Sequence, residues 1–170
     1  MIILGYLFTV INYVFYCLSR FMAEKKHILF MDLIAKIFTI LGLYCLNSLS
    51  GAICFSITFF LLIAANIKER KNKKWLLLFI VFQTLYILTF ITQYDGLPSF
   101  LVFATSSVNL VCVWWLSPQN MRFVGGVNSV FYLLYQISIK NWAGLIEILV
   151  ILSNLMSYLK YRKKQTTDKV

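Results

Sequence analysis

The sequence predicts an all-α polytopic membrane protein, with seven transmembrane helices in a 3+1+3 arrangement, the N-terminus outside and the C-terminus in the cytoplasm. Three observations predict it. Of the 170 residues, 61% are hydrophobic and only 13% charged, against roughly 45–50% and about 25% in a soluble domain. The apolar residues fall into seven runs, each near the length of a bilayer crossing. Basic residues crowd into every second connection between those runs, as cytoplasmic loops do. A water-soluble globule of this size could not hide so much apolar surface, whereas lipid tails solvate it directly.

The runs are Ile2–Arg20, Ile28–Leu46, Gly51–Ile67, Trp75–Thr92, Pro98–Leu116, Phe123–Ile139 and Trp142–Leu159. They are continuous rather than alternating, which favours helices, and helices satisfy their own backbone hydrogen bonds in lipid. The first run has no basic residues ahead of it, so it reads as a retained span rather than a cleaved leader. Asn47-Ser48-Leu49-Ser50-Gly51 is a tight polar turn before the third run. Asp95-Gly96-Leu97-Pro98 is a turn that places proline in the first turn of the fifth. Ser117-Pro118-Gln119-Asn120 ends the fifth run, and Lys140-Asn141 separates the last two.

Charge supplies the topology. The formal net charge is +10, which in a soluble chain would suggest nucleic acid. Here 14 of the 16 basic residues lie in the first, third and fifth connections and the tail. They are Arg20, Lys25 and Lys26; then Lys68, Arg70, Lys71, Lys73 and Lys74; then Arg122; then Lys160, Arg162, Lys163, Lys164 and Lys169. The other connections hold Lys140 alone, and Lys36 falls within a run. That alternation fits seven crossings better than six or eight. Trp75, Trp114, Trp115, Trp142, Tyr158 and Tyr161 lie near span ends, where interfacial anchors belong.

A weak repeat divides the chain into a first three-helix unit (1–68), a linker helix (75–92), a second three-helix unit (97–160) and a basic cytoplasmic tail (161–170). Gly51-Ala52-Ile53 and Gly144-Leu145-Ile146 open the third and seventh spans, and at the same offset Arg70-Lys71 falls on Lys163-Lys164. Two units joined by a single crossing lie parallel, related by an axis along the membrane normal.

Ionisable residues inside spans are costly and therefore informative, at about 2.5–3.5 kcal/mol near a helix centre. Asp32 and Lys36 are spaced i,i+4 with the acid first, which favours a self-neutralised pair with Lys36 snorkelling toward the cytoplasm. The functional alternative is a cytoplasmic gate. Glu147 has no partner nearby on its own helix and shares a stripe with Gly144, Ile151, Asn154 and Tyr158. It is either a polar contact between helices or a cavity residue for solute or proton coupling. Further stripes are Gly5, Thr9, Asn12, Tyr16 and Ser19; Gly51, Cys54, Thr58 and Ala65; Thr105, Asn109 and Cys112; and Gly125, Asn128, Tyr132 and Tyr135 with Gln136 beside them. Each alone reads as a packing seam, and together they could line one polar site.

The four cysteines, Cys17, Cys45, Cys54 and Cys112, sit in apolar stretches without metal or redox spacing. The single histidine is His27, in a basic connection. No nucleophile motif, phosphate loop or metal-ligand cluster is present in the sequence, so no enzyme, cofactor or metal is expected.

The second unit carries a family resemblance. Leu97-Pro98, Trp115, Met121-Arg122, Ser138, Gly144, Glu147, Asn154 and the basic end near Lys160 resemble the YgjV-type family of small bacterial inner-membrane proteins. In the first unit Leu49-Ser50-Gly51-Ala52 is similar, but Ile57 and Phe60 stand about where that family carries an Asn and an Arg. The resemblance covers about half the chain and implies a multi-pass bacterial cytoplasmic (inner) membrane protein. The 3+1+3 layout is similar to SWEET, PQ-loop and PnuC transporters, and Pro118-Gln119 resembles the PQ dipeptide.

The resulting expectation is a small SWEET-like carrier or facilitator for a small polar solute. Asn12, Asn109, Asn128, Gln136, Glu147 and Asn154 would bind the solute, and Asp32 and Lys36 would gate it. The alternative is a non-transporting membrane scaffold or partner subunit of an envelope or defence system. A channel is disfavoured by the sparse polar lining. The lipid bilayer is the expected partner, nucleic acid is not, and a homo-oligomer stays open.

Overall fold

A computed structural model describes residues 1–71 and 75–167. Lys73, Lys74 and Lys169, counted above for topology, lie outside the described residues, as do the side chains of Lys163 and Lys164. Among the described residues there are seven α-helices and no strand: α1 (Ile2–Arg20), α2 (Lys25–Cys45), α3 (Leu49–Lys71), α4 (Leu76–Thr92), α5 (Leu97–Trp115), α6 (Pro118–Ser138) and α7 (Glu147–Thr167). A five-residue 3-10 turn, Trp142–Ile146, precedes α7.

Five of the helical segments are long and apolar enough to cross a membrane: Ile2–Arg20, Lys25–Cys45, Leu49–Lys71, Leu97–Trp115 and Trp142–Arg162. The helix α4 is apolar but shorter, at 17 residues. In α6 the polar stretch from Pro118 to Asn128 dilutes the apolar run.

Local chemistry explains the boundaries. Ser117 does more than end the fifth run. Its hydroxyl accepts from the Asn120 amide as the N-cap of α6, and Pro118 follows as the first helical residue, so α6 begins five residues before the apolar run. Gly96, at φ 72°, caps α5 in a conformation that glycine tolerates without steric cost. The helices α2 and α6 end in the same way. Asn47 (φ 58°) and Lys140 (φ 57°) are both left-handed. Ser48 donates to the Leu43 carbonyl and Asn47 to that of Tyr44, just as Asn141 donates to Gln136 and Lys140 to Ile137. This is the two-bond helix stop in which a left-handed residue satisfies orphan carbonyls. The tail expected from residue 161 continues α7 as far as Thr167.

Packing makes a ring. The helix α2 lies between α1 and α3, and α6 lies between α5 and α7. Contacts of α3 with α5 and of α1 with α7 close the circle. The helix α4 sits outside it against α3 and α5, burying only Phe82, Tyr86 and Thr89. The side chains turned away from the ring are apolar. Leu7, Phe60, Leu77, Phe123 and Leu155 are all exposed, as expected where lipid is the solvent.

The two ends of the bundle differ in charge. At one end Lys25 pairs with Glu69 at 3.3 Å, Lys68 donates to the Trp114 carbonyl, and Gln119 donates to the Tyr158 carbonyl at 2.8 Å. Tyr161 donates there to the Phe21 carbonyl at 2.8 Å. The first, third and fifth connections and the last turns of α7 thus meet at a single, basic end. At the other end the α2–α3, α4–α5 and α6–α7 connections surround an open vestibule of about 350 Å³, lined by Asn47, Ser48, Gln93, Asp95 and Ser138 among others.

Candidate functional site

Five helices, α1, α2, α5, α6 and α7, bring residues to an ionic centre. Asp32 on α2 and Arg20 on α1 form an ion pair, with Arg20 Nη2 2.6 Å from both carboxylate oxygens. Ser19 Oγ donates to the same carboxylate at 2.6 Å. Both charged side chains are buried, at 6% and 4% exposure. In a medium of low dielectric such a pair holds only when both members are matched and hydrogen-bonded.

The expected Asp32–Lys36 pair is therefore corrected. Their i,i+4 spacing puts them on one helix, but Asp32 turns to Arg20 across the helix interface. Lys36 does not snorkel out. It is 3% exposed, donates to Tyr16 Oη at 2.8 Å and lies 4.3 Å from the Phe55 ring centroid and 5.1 Å from that of Tyr16. Two aromatic faces and a phenol replace the carboxylate as its partners.

Glu147 is buried at 4% exposure, beside Ser129 and Tyr13, and the Tyr13 hydroxyl donates to the Gly144 carbonyl at 3.5 Å. The seventh span opens as a 3-10 turn, so Glu147 is the first residue of α7 rather than one within it. The Glu147 amide is itself satisfied by the Gly144 carbonyl, and the carboxylate lies in the first turns of the segment, near the positive end of its dipole, which lowers the cost of burying it.

A small cavity of about 40 Å³ lies beside the ion pair, room for about three or four waters at about 10–15 Å³ each. Tyr16, Arg20, Asp32, Asn109, Ser129 and Asn154 supply its polar lining. Two buried groups there lack partners, Arg20 Nε and Asn154 Oδ1. The Asn154 amide nitrogen donates to Val150 O at 3.0 Å within its own helix, which leaves its oxygen facing Gly125.

Of the expected binding residues, the structure brings Asn109 and Asn154 to this cavity and places Glu147 beside Ser129, one of its lining residues. Asn12 is elsewhere, accepting from Thr39 at 2.9 Å between α1 and α2. Gln136 accepts from Asn141 at 2.8 Å, toward the vestibule end. Asn128 is half-buried and outside the cavity lining. Asp32 lines the cavity, while Lys36 stands behind Tyr16.

Sequence reasoning assigned Arg20 and Arg122 to cytoplasmic connections. Both are buried instead, Arg122 at 2% exposure. Arg122 reaches from α6 to the end of α1, donating to Met22 O at 2.6 Å and Arg20 O at 3.2 Å. Tyr161 covers its guanidinium, 4.1 Å from the ring centroid. A cation at the carbonyl end of a helix is favoured by the dipole. The missed signal for Arg20 was spacing. It stands four residues beyond Tyr16, on the stripe already traced through Asn12.

An α-helical bundle with apolar outer faces and an ion-paired centre among its helices is an integral membrane protein built around a buried polar site. The model of the Imp-YgjV family, described as a bacterial inner membrane protein, matches residues 3–165. The chain belongs to that family, and its place is the bacterial inner membrane. No curated protein and no solved structure matches it.

Proposed function

We propose that this protein is a small membrane carrier, with seven crossings arranged 3+1+3 and a solute site at the Arg20–Asp32 centre. The observation that carries the reading is the burial of Arg20, Asp32, Lys36 and Glu147 in one family of facing helices beside a polar cavity. Charges in a bilayer are expensive and persist where they serve a pathway. Asn109, Glu147 and Asn154 are the solute-facing groups, Asp32 and Lys36 the gate, and no chemistry is done on the solute. Asn12, Asn128 and Gln136 serve as packing groups. A cavity of about 40 Å³ is too small for a solute larger than a few waters, so this is the occluded form. Rocking of two three-helix units would open it alternately toward the vestibule and toward the basic end.

Three pairs of positions support the two-unit reading: Leu43 and Gln136, Asn47 and Lys140, Gly51 and Gly144, each pair separated by the same interval. Asn47 and Lys140 share the left-handed stop. A β-carbon on Gly51 would meet Leu43 at 3.2 Å, and one on Gly144 would meet Gln136. The contacts of α3 with α5 and of α7 with α1 correspond under the same exchange. The layout is then like that of SWEET and PQ-loop carriers.

Uptake by proteoliposomes of a labelled panel of sugars, amino acids and organic acids tests the site. For the solute taken up, Asn154→Ala and Glu147→Gln should each cut uptake about tenfold or more, since a hydrogen bond to a charged or buried group contributes about 1.5–3 kcal/mol. Unchanged uptake in both variants would discard the site.

The orientation is N-out and C-in, because the basic connections gather at one end. A C-terminal green fluorescent protein should fluoresce and a C-terminal alkaline phosphatase should stay inactive in intact cells. The opposite pair of results would invert the topology.

A second reading, a non-transporting scaffold or partner subunit, draws on Asn12–Thr39 and Gln136–Asn141, which pair within the bundle as polar glue. It is favoured if the protein co-purifies with a stoichiometric membrane partner and takes up nothing.

A further inference from the structure

A groove of about 230 Å³ runs down the outside of the bundle between α6 and α7. Phe123, Gly126, Val127, Val130, Ile151 and Leu155 line it, and its walls are almost wholly carbon. Phe123, Val127 and Leu155 are 60%, 49% and 54% exposed. From Phe123 to Val130 the groove extends ~10 Å at 1.5 Å per residue. That lies within the ~15 Å of one leaflet of a ~30 Å hydrocarbon core. Arg122 and Tyr158 stand at its basic end.

Asn154 lines both this groove and the central cavity. Gly125 and Gly126 pack against it from α6. A β-carbon on Gly125 would lie 3.4 Å from Asn154 Oδ1 and 3.8 Å from Arg20 Nη1, and one on Gly126 would lie 3.5 Å from Asn154 Cβ. At these two positions α6 sets backbone rather than a side chain between the lipid-facing groove and the ionic centre. On the inner side wait Asn154 Oδ1 and Arg20 Nε, both buried and both without a hydrogen-bond partner. The charges of the centre balance, Arg20 and Lys36 against Asp32 and Glu147, whereas Arg122, at the basic end of the groove, donates to backbone carbonyls and Gln119 and to no carboxylate among the described residues.

We propose that the α6–α7 groove is a lateral portal for a single-chain amphiphile with a phosphate head. Its acyl chain lies in the groove, and its head turns through the Gly125–Gly126 gap onto Asn154 and Arg20. The inference rests on the carrier reading and names its substrate class. Lipid is the occupant because the groove opens on the hydrocarbon side of an inner-membrane protein. An anionic head fits because Arg20 offers an unpartnered guanidinium N–H and Arg122 stands at the basic end of the groove. The incoming phosphate would accept from the Arg20 N–H now orphaned, and its protonated oxygen or a bound water would donate to Asn154 Oδ1.

The test uses the purified full chain in nanodiscs and lysophosphatidic acid carrying a diazirine on its acyl chain. Photolabelling should map to residues 123–130 and 151–158. Gly126→Leu and Val130→Trp, which fill the groove, should each cut labelling about tenfold, equivalent to ~1.4 kcal/mol. Val130→Trp touches neither Asn154 nor the gap, so it answers the question even if Gly126→Leu fails to fold. Asn154→Ala should weaken labelling by the phosphate probe and leave that by a diazirine monoacylglycerol unchanged. Equal competition by the neutral monoacylglycerol would overturn recognition of the head. Labelling unaffected by both groove variants would overturn the portal. So would a drop in oligomeric state with Gly126→Leu, since the groove would then seat a second copy. Uptake of a water-soluble solute that survives Val130→Trp would remove the portal and leave the carrier standing. Loss of all uptake in wild type would remove the carrier itself.

Discussion

Removing either partner of the Arg20–Asp32 pair should destabilise the protein by about 3–5 kcal/mol, the cost of leaving one buried charge unmatched. Arg20→Met keeps most of the aliphatic stem but strands the Asp32 carboxylate with Ser19 as its sole side-chain donor. Asp32→Leu strands the guanidinium, which keeps only the Tyr16 ring 5.3 Å away. The double variant, Arg20→Met with Asp32→Leu, should recover most of the loss, because no charge then remains to be solvated. Reversible unfolding of the four proteins in a single detergent measures the coupling. Additive losses in the double variant would mean that the two side chains do not act as a pair. A double variant that is stable yet inactive in uptake would assign the pair to the pathway rather than to the scaffold.

This pair also shows where the sequence stops informing. Helix positions were legible because lipid demands long apolar runs. Ile2–Arg20 coincides with α1, and Leu76–Thr92 differs from its run by a single residue. The start of α6 was legible in principle, since a serine followed by proline is an N-cap signal, yet the apolar run alone pointed to Phe123. Periodicity groups residues on a face but does not say which face opposes it. Asp32 and Lys36 share a face of α2 and were paired for that reason, whereas Arg20, one residue beyond the end of the α1 stripe at Ser19, supplies the true partner. Counting basic residues for topology hid Arg20 and Arg122 among the loop cations, although α1 carries Arg20 inward and α6 carries Arg122 back to the end of α1. The inward faces were read correctly for Asn109 and Asn154. Asn128 also buries its Oδ1, yet it stands outside the cavity lining, because sharing a face does not fix which residues meet at one depth. The 3-10 turn before Glu147 has no periodic signature at all. It is seated on α6 by the close approach of Gly144 to Gln136, which only the folded chain reveals.

That contact sets the second large effect. Gly144→Ala should cost about 1–3 kcal/mol, the usual penalty of overpacking, while Gly126→Ala should be neutral or stabilising by up to about 1 kcal/mol from helix propensity. The glycines differ in what a methyl group would meet. At Gly144 it would lie 2.3 Å from Gln136 Cβ and 2.7 Å from Cγ, whereas at Gly126 it would lie 3.5 Å from Asn154 Cβ. A β-carbon is fixed to its backbone, so relief at Gly144 requires the 3-10 turn to move away from α6. That movement would pull Asn141 off Gln136, now 2.8 Å apart, and carry Glu147 away from Ser129. Gln136→Ala cannot relieve the clash, because its β-carbon remains. Gln136→Gly can, so Gly144→Ala combined with Gln136→Gly should regain stability that Gly144→Ala with Gln136→Ala does not. Melting curves of the two double variants decide the matter. Equal melting temperatures would mean that the 3-10 turn is not seated on α6 at Gly144, and that the burial of Glu147 must have another cause.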